Sequence, residues 1–201
     1  REQAENSRPF FQAMVNSLAD IARNSQSADS PFTRVREIKK TCYVVIAGDR
    51  GLSGGYNNNV LKLARAGMQG EEGASCVIPV GKKALENARK NGDEILTEQF
   101  ERVEALDEAA AREMGLFLRD QFLEQKIDRV LVVYTRLRSM LSQVPDQVQL
   151  LPVTLPAEEK KSAGVHALTL YEPSATEVFN AIIPDYLAGV IYGAGRESFA
   201  S

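Results

Sequence analysis

Residues 46–59 read IAGDRGLSGGYNNN, and they follow directly on the apolar run Tyr43-Val44-Val45. Gly48, Gly51, Gly54 and Gly55 fall within eight positions, after which a helix-like pattern begins. Strand, glycine-rich turn and helix in that order open a βαβ unit, the place where α/β proteins often cradle a phosphate. The individual residues do not supply that chemistry. A P-loop needs a lysine and a hydroxyl directly after its last glycine, whereas Tyr56 and Asn57 stand there and the next lysine is Lys62. The spacing also departs from G-x-G-x-x-G, and the region about 20 residues on, VIPVGKK, has no acidic residue to meet a ribose. Gly51-Leu52-Ser53-Gly54-Gly55 does fit the string G-x-S-x-G. The sole histidine, His166, lies in a polar stretch with no sign of a positioned base, so Ser53 reads as a turn residue.

Outward from this loop the chain alternates. Residues 42–47 form a buried-type strand and 58–68 a helix. Residues 76–80 give a second apolar run, followed by a helix over 82–90 that stops at Asn91-Gly92. Residues 94–100 are a weaker strand candidate. Asp107 can cap a long helix carrying Met114, Phe117, Leu118 and Phe122 on one side, and RVLVVYT at 129–135 is the clearest strand of all. Strands of this kind separated by helices imply a mainly parallel sheet. Residues 140–153 add an extended piece whose Pro145 and Pro152 favour an edge.

Both ends read as helices. Phe11, Val15, Leu18 and Ala22 follow 4-3-4 spacing, widened by Met14 and Ile21. After a polar linker at 154–166, Ser174 and Glu177 make a capping box. A stripe of Phe179, Ile182, Ile183, Tyr186, Leu187, Val190 and Ile191 follows. Pro184 should bend this helix locally, and Gly189, Gly193 and Gly195 mark either a place where another helix passes close or a weak helix that needs a partner. Two arrangements remain open on pattern alone. The end helices pair as an antiparallel stalk, or each covers a face of the sheet.

The bulk numbers fit one domain with appendages: 201 residues, 44% hydrophobic, net charge −3. That charge gives no reason to expect a nucleic-acid partner. No run approaches the ~20 apolar residues of a membrane span, and REQAENSRPF lacks the apolar region of a signal peptide. Cys42 and Cys76 have no metal-site or redox spacing and read as reduced core residues. A start at Arg1 and the missing stop signal after Arg196 read as truncation at both ends.

DRGLSGGYNNNV resembles the DRGLCGGLN-type segment of the gamma subunits of F-type ATP synthases. LYEPSATEVFNAIIPDYLAGVIYGAGRESFAS is similar to that family's YEPS-type turn and C-terminal helix, and AENSRPFF to its helix leaving the coiled coil. Asp49, Arg50, Gly51, Leu52, Gly54, Gly55 and Asn57 match the glycine motif. Ser53 replaces the usual cysteine, Tyr56 a leucine, and Gly48 commonly a serine.

The resemblance implies a Rossmann-like α/β foot at 40–153 with an open, mainly parallel sheet and flanking helices. It also implies an antiparallel coiled-coil stalk formed by residues 1–28 and 174–201, with Phe11, Val15, Leu18, Ala22 and the stripe from Phe179 to Ile191 as its seam. It further implies a rotor subunit that transmits torque, with no catalytic site, cofactor or metal. The implied partners are the epsilon subunit, the c-ring and the alpha and beta subunits of the catalytic ring, with Tyr171 and Glu172 as contacts to c-ring or epsilon. The implied location is peripheral, on the cytoplasmic face of a bacterial inner membrane, without insertion. Residues 136–170 lack the cysteine pair of the plastid branch. Exposed seam residues Phe11, Leu18, Ile183 and Val190 would let the chain self-associate. A small nucleotide-binding enzyme and a helical-hairpin adaptor are the rival readings, the first distinguished by micromolar nucleotide affinity and the second by failure to join any synthase component.

Overall fold

The computed structural model describes residues 13, 16, 30–48, 54–102, 105–137, 142–154 and 174–200. Its centre is β1, Lys40–Ile46, apolar along nearly its whole length and buried on both faces. A strand can be apolar without alternation only when helices cover both sides of its sheet. β1 pairs in parallel with β2, Ala74–Val80, on one side and with β3, Arg129–Leu137, on the other. β4, Gln143–Leu151, closes the β3 edge antiparallel, giving the order β2-β1-β3-β4. The mainly parallel sheet expected from the sequence is therefore present, and the proline-bearing piece is its edge strand. Pro145 offers no amide on β4, and the Gln147 amide donates to the Asp146 carboxylate at 2.8 Å, so this edge is a poor template for another strand.

Helices α1, Gly54–Gly70, and α2, Lys82–Lys90, lie on one face, over Tyr43, Val45, Val77, Leu131 and Val133. Helices α3, Glu108–Leu123, and α4, Ser174–Ala200, lie on the other, over Cys42, Val44, Ile78, Val130 and Val132. α1 begins four residues earlier than the periodicity predicts, because its first turn is built from the glycines that read as loop. The strand expected at 94–100 is not formed. Only Ile95 bridges Val77, and the chain then leaves the sheet.

Turn chemistry sets the boundaries. The Asp107 carboxylate caps α3 by accepting from the Ala110 amide at 2.8 Å. α2 ends with Gly92 at φ 68°, where the Asp93 amide reaches the Ala88 carbonyl and the Gly92 amide that of Arg89. α3 ends in the same Schellman pattern, but with Gln125 at φ 60° in the glycine position. At the foot of the sheet Asp128 ties β1 to β3. Its Oδ2 accepts from the Lys39 and Lys40 amides at 2.9 Å each, and its Oδ1 lies 3.2 Å from Arg36. The Arg36 guanidinium covers the Phe122 ring and donates to the Phe122 and Ile127 carbonyls. None of the described helices is long and apolar enough to cross a membrane.

Candidate functional site

The glycine loop leaves the C-terminal end of β1, between neighbours β2 and β3 that are reached in opposite directions. That is the switch point where open α/β sheets hold ligands. Asp49, Arg50, Gly51 and Leu52 lie outside the described residues. Gly54 and Gly55 open helix α1, and Asn57 stands in its first turn, 6% exposed. The Asn57 side chain turns back on the strand end: its Oδ1 accepts from the Gly48 amide at 2.9 Å and its Nδ2 faces the Gly48 carbonyl at 3.5 Å. One amide thus meets both polar groups of Gly48 and holds the two ends of the loop together. A cavity of about 10 Å³, the size of one water, lies further along this face between α1 and α2, beside the bidentate Arg65–Asp93 pair at 2.8 Å.

Helix α4 is the second feature. Of the residues expected to form a seam, Phe179, Ile183, Tyr186, Leu187, Val190 and Ile191 are buried in the core shared with α3 and the sheet, and Ile182 packs against it. Of the two arrangements left open by the pattern, covering the sheet is the one this helix adopts in the described part. Phe11, Val15, Leu18 and Ala22 lie outside the described residues, so pairing of the two ends is not among the contacts seen. Ile183 and Val190, expected to be open for self-association, are sealed instead, because they are buried in one core cluster with residues of α3 and the sheet. Tyr171 and Glu172 also lie outside the described residues. Burial pushes the Tyr186 hydroxyl above its ordinary pKa.

Close packing and polar contacts fix α4 along its length. The helix continues through Pro184. A Cβ added at Gly115 of α3 would stand 3.3 Å from the Ala188 amide nitrogen and from the Leu187 Cβ, so glycine lets the two helices meet here. Gly195 similarly makes room for Leu106, which would lie 2.8 Å from an added Cβ. The expected close passage of another helix is not what Gly195 meets: its neighbour is the side chain of Leu106, in a loop. Near the start of α4, Ser30 Oγ donates to Asn180 Oδ1 at 2.6 Å. Near its end, Ser198 Oγ accepts from the Thr135 amide and Glu197 Oε2 from the Leu137 amide, each at 3.2 Å. Sequence reasoning missed both sets, since the partners lie 60 or more residues apart. Arg112 and Asp185 add an exposed ion pair between α3 and α4.

Comparison with known proteins puts these features in company. The family model described as ATP synthase matches residues 1–201. The ATP synthase gamma chain of Ruminococcus albus is 37% identical over 205 residues, covering 100% of this chain and 70% of the relative. The sodium-ion-specific ATP synthase gamma chain of Acetobacterium woodii is 32% identical over 217 residues, covering 100% and 72%. In fold, the chain is similar to one in the central stalk and c-ring structure of Tetrahymena thermophila mitochondrial ATP synthase. That likeness has a TM-score of 0.62 at 19% identity, covering 99% of this chain and 85% of that one.

Proposed function

The chain belongs to the ATP synthase gamma-chain family, and on that premise we propose that it is the central-stalk rotor subunit of its complex, working by torque and not by catalysis. In this reading the c-ring turns the α/β foot, and the foot turns a shaft that drives the alpha and beta subunits through their states. A long helix that carries torque must neither twist nor slide against the body that turns it. Apolar ridges alone allow a packed helix more than one register, whereas directed hydrogen bonds and glycine close approaches select a single one. The observation that carries the reading is the fixing of α4 on its body, at Ser30–Asn180, at Gly115 and at Glu197–Ser198, in a chain matched along its whole length by the family model.

The same reading gives the glycine loop a mechanical role. Asn57 holds the turn closed beside the shaft, and Asp49, Arg50, Gly51, Leu52, Gly54 and Gly55 shape it. Tyr171 and Glu172 serve as contacts to the c-ring or to the epsilon subunit. The chain is peripheral to the membrane as part of the stalk, and we place it on the cytoplasmic face of a bacterial inner membrane. Size-exclusion chromatography with the epsilon subunit of the same synthase tests this: one-to-one co-elution is expected. A folded chain that binds nucleotide with micromolar affinity and never joins epsilon or an alpha–beta assembly would sink the reading.

A further inference from the structure

β3 outruns its neighbour β1. The parallel ladder between them ends at Val45–Val133, while β3 continues through Tyr134, Thr135, Arg136 and Leu137, paired among the described strands with β4. On the side where β1 has stopped, the amides of Thr135 and Leu137 face none of the described strands. A buried amide left unmatched there would be costly. The Ser198 hydroxyl and the Glu197 carboxylate take their place, accepting at 3.2 Å each. Thr135 is 3% exposed and Glu197 only 6%. A carboxylate is seldom carried into such a place unless it is hydrogen-bonded there.

We propose that Glu197 and Ser198 are the positioning residues that lock helix α4 to the sheet against twist under load, standing in for the strand that β1 fails to provide. The inference rests on the rotor reading and adds its point of grip. Adjacent residues on a helix point about 100° apart. Two bonds from neighbouring positions to two amides of one strand therefore fix rotation as well as translation. Elsewhere the Ser30–Asn180 bond and the exposed Arg112–Asp185 pair join α4 to its body by side chains alone, and the apolar contact between them resists separation more than it resists turning.

The test uses the whole ATP synthase carrying this chain, in proteoliposomes, with ATP hydrolysis and ion pumping recorded together. In the double variant Glu197→Ala, Ser198→Ala, hydrolysis stays within about twofold of wild type. Ions pumped per ATP fall, because loss of the two bonds raises slipped over gripped states about tenfold or more. Glu197→Gln keeps an acceptor oxygen and restores much of the ratio. If the double variant does not assemble, Ser198→Ala against Ser198→Thr under viscous load in single-particle rotation makes the same comparison, with slippage expected only in the alanine variant. An unchanged pumping ratio, or unchanged rotation under load, with only a lowered melting temperature, overturns the proposal. Failure of wild type itself to couple would instead overturn the rotor reading.

Discussion

Gly73 and Gly92 both hold positive φ, 92° and 68°, yet their surroundings differ. A Cβ at Gly73 would sit 2.7 Å from the Lys39 carbonyl, whereas one at Gly92 meets nothing within 4 Å. Gly92→Ala therefore costs only the left-handed backbone penalty, about 1–2 kcal/mol. Gly73→Ala adds a clash with backbone that also accepts the Ala74 amide, and urea denaturation should place its cost above that of Gly92→Ala by about 1 kcal/mol or more. Gln125 is the reverse case, a side chain where glycine fits better, so Gln125→Gly should raise stability by about 0.5–1 kcal/mol. Asn57→Ala leaves the half-buried Gly48 amide without its acceptor and should cost about 0.5–1.5 kcal/mol. Asn57 was named from the motif alone. Its bond across the loop depends on where the helix starts, which four clustered glycines obscure.

Among the elements, β1 and β3 were legible because doubly buried strands are continuous apolar runs, and α2 because Asn91-Gly92 spells its end. The strand expected at 94–100 reduces to one bridge at Ile95, since two apolar residues after a turn carry no register. No local pattern announces that Arg36 meets Asp128, or that Ser198 serves Thr135. The sheet likewise decides the cysteines: Cys42 and Cys76 are direct partners across β1 and β2. The hydrogen bond with Cys76, reinforced by burial, pushes the Cys42 thiol well above its ordinary pKa of 9.0, and burial raises Tyr43 on the opposite face. The folded state holds these protons more tightly than the unfolded chain. Their stabilisation is therefore complete below the unfolded-chain values and drains as pH rises past them toward the folded ones. Melting temperature should fall above about pH 9, and Cys42→Ala should flatten the first part of that fall. An identical alkaline slope in both proteins would contradict the assignment. Gly115→Val, which drives α3 off α4, should cost about 1–3 kcal/mol.

For the molecule as a whole, α4 is one wall of a core it shares with α3 and the sheet. Six of its large side chains, Phe179, Ile183, Tyr186, Leu187, Val190 and Ile191, are buried at 8% exposure or less. At about 1.5–3 kcal/mol each, their burial is comparable to the entire ~5–15 kcal/mol that holds an ordinary domain folded. A chain ending at residue 173 should consequently bind a hydrophobic dye and lose its cooperative melt. A sharp transition in that chain would mean the sheet stands without its helix. The driven helix and the body that drives it fold as a single unit, so the joint between them needs no separate assembly step.

The two thiols have a practical side. Cys42 and Cys76 are the chain's only cysteines, 0% and 1% exposed, and Cys42 holds its proton firmly. A maleimide applied to the native protein should pass both by. Val35, 91% exposed, offers a surface position for one introduced cysteine. These 201 residues are thus already a quiet background for attaching a single fluorophore or bead, and need not be stripped of sulfur before turning is filmed.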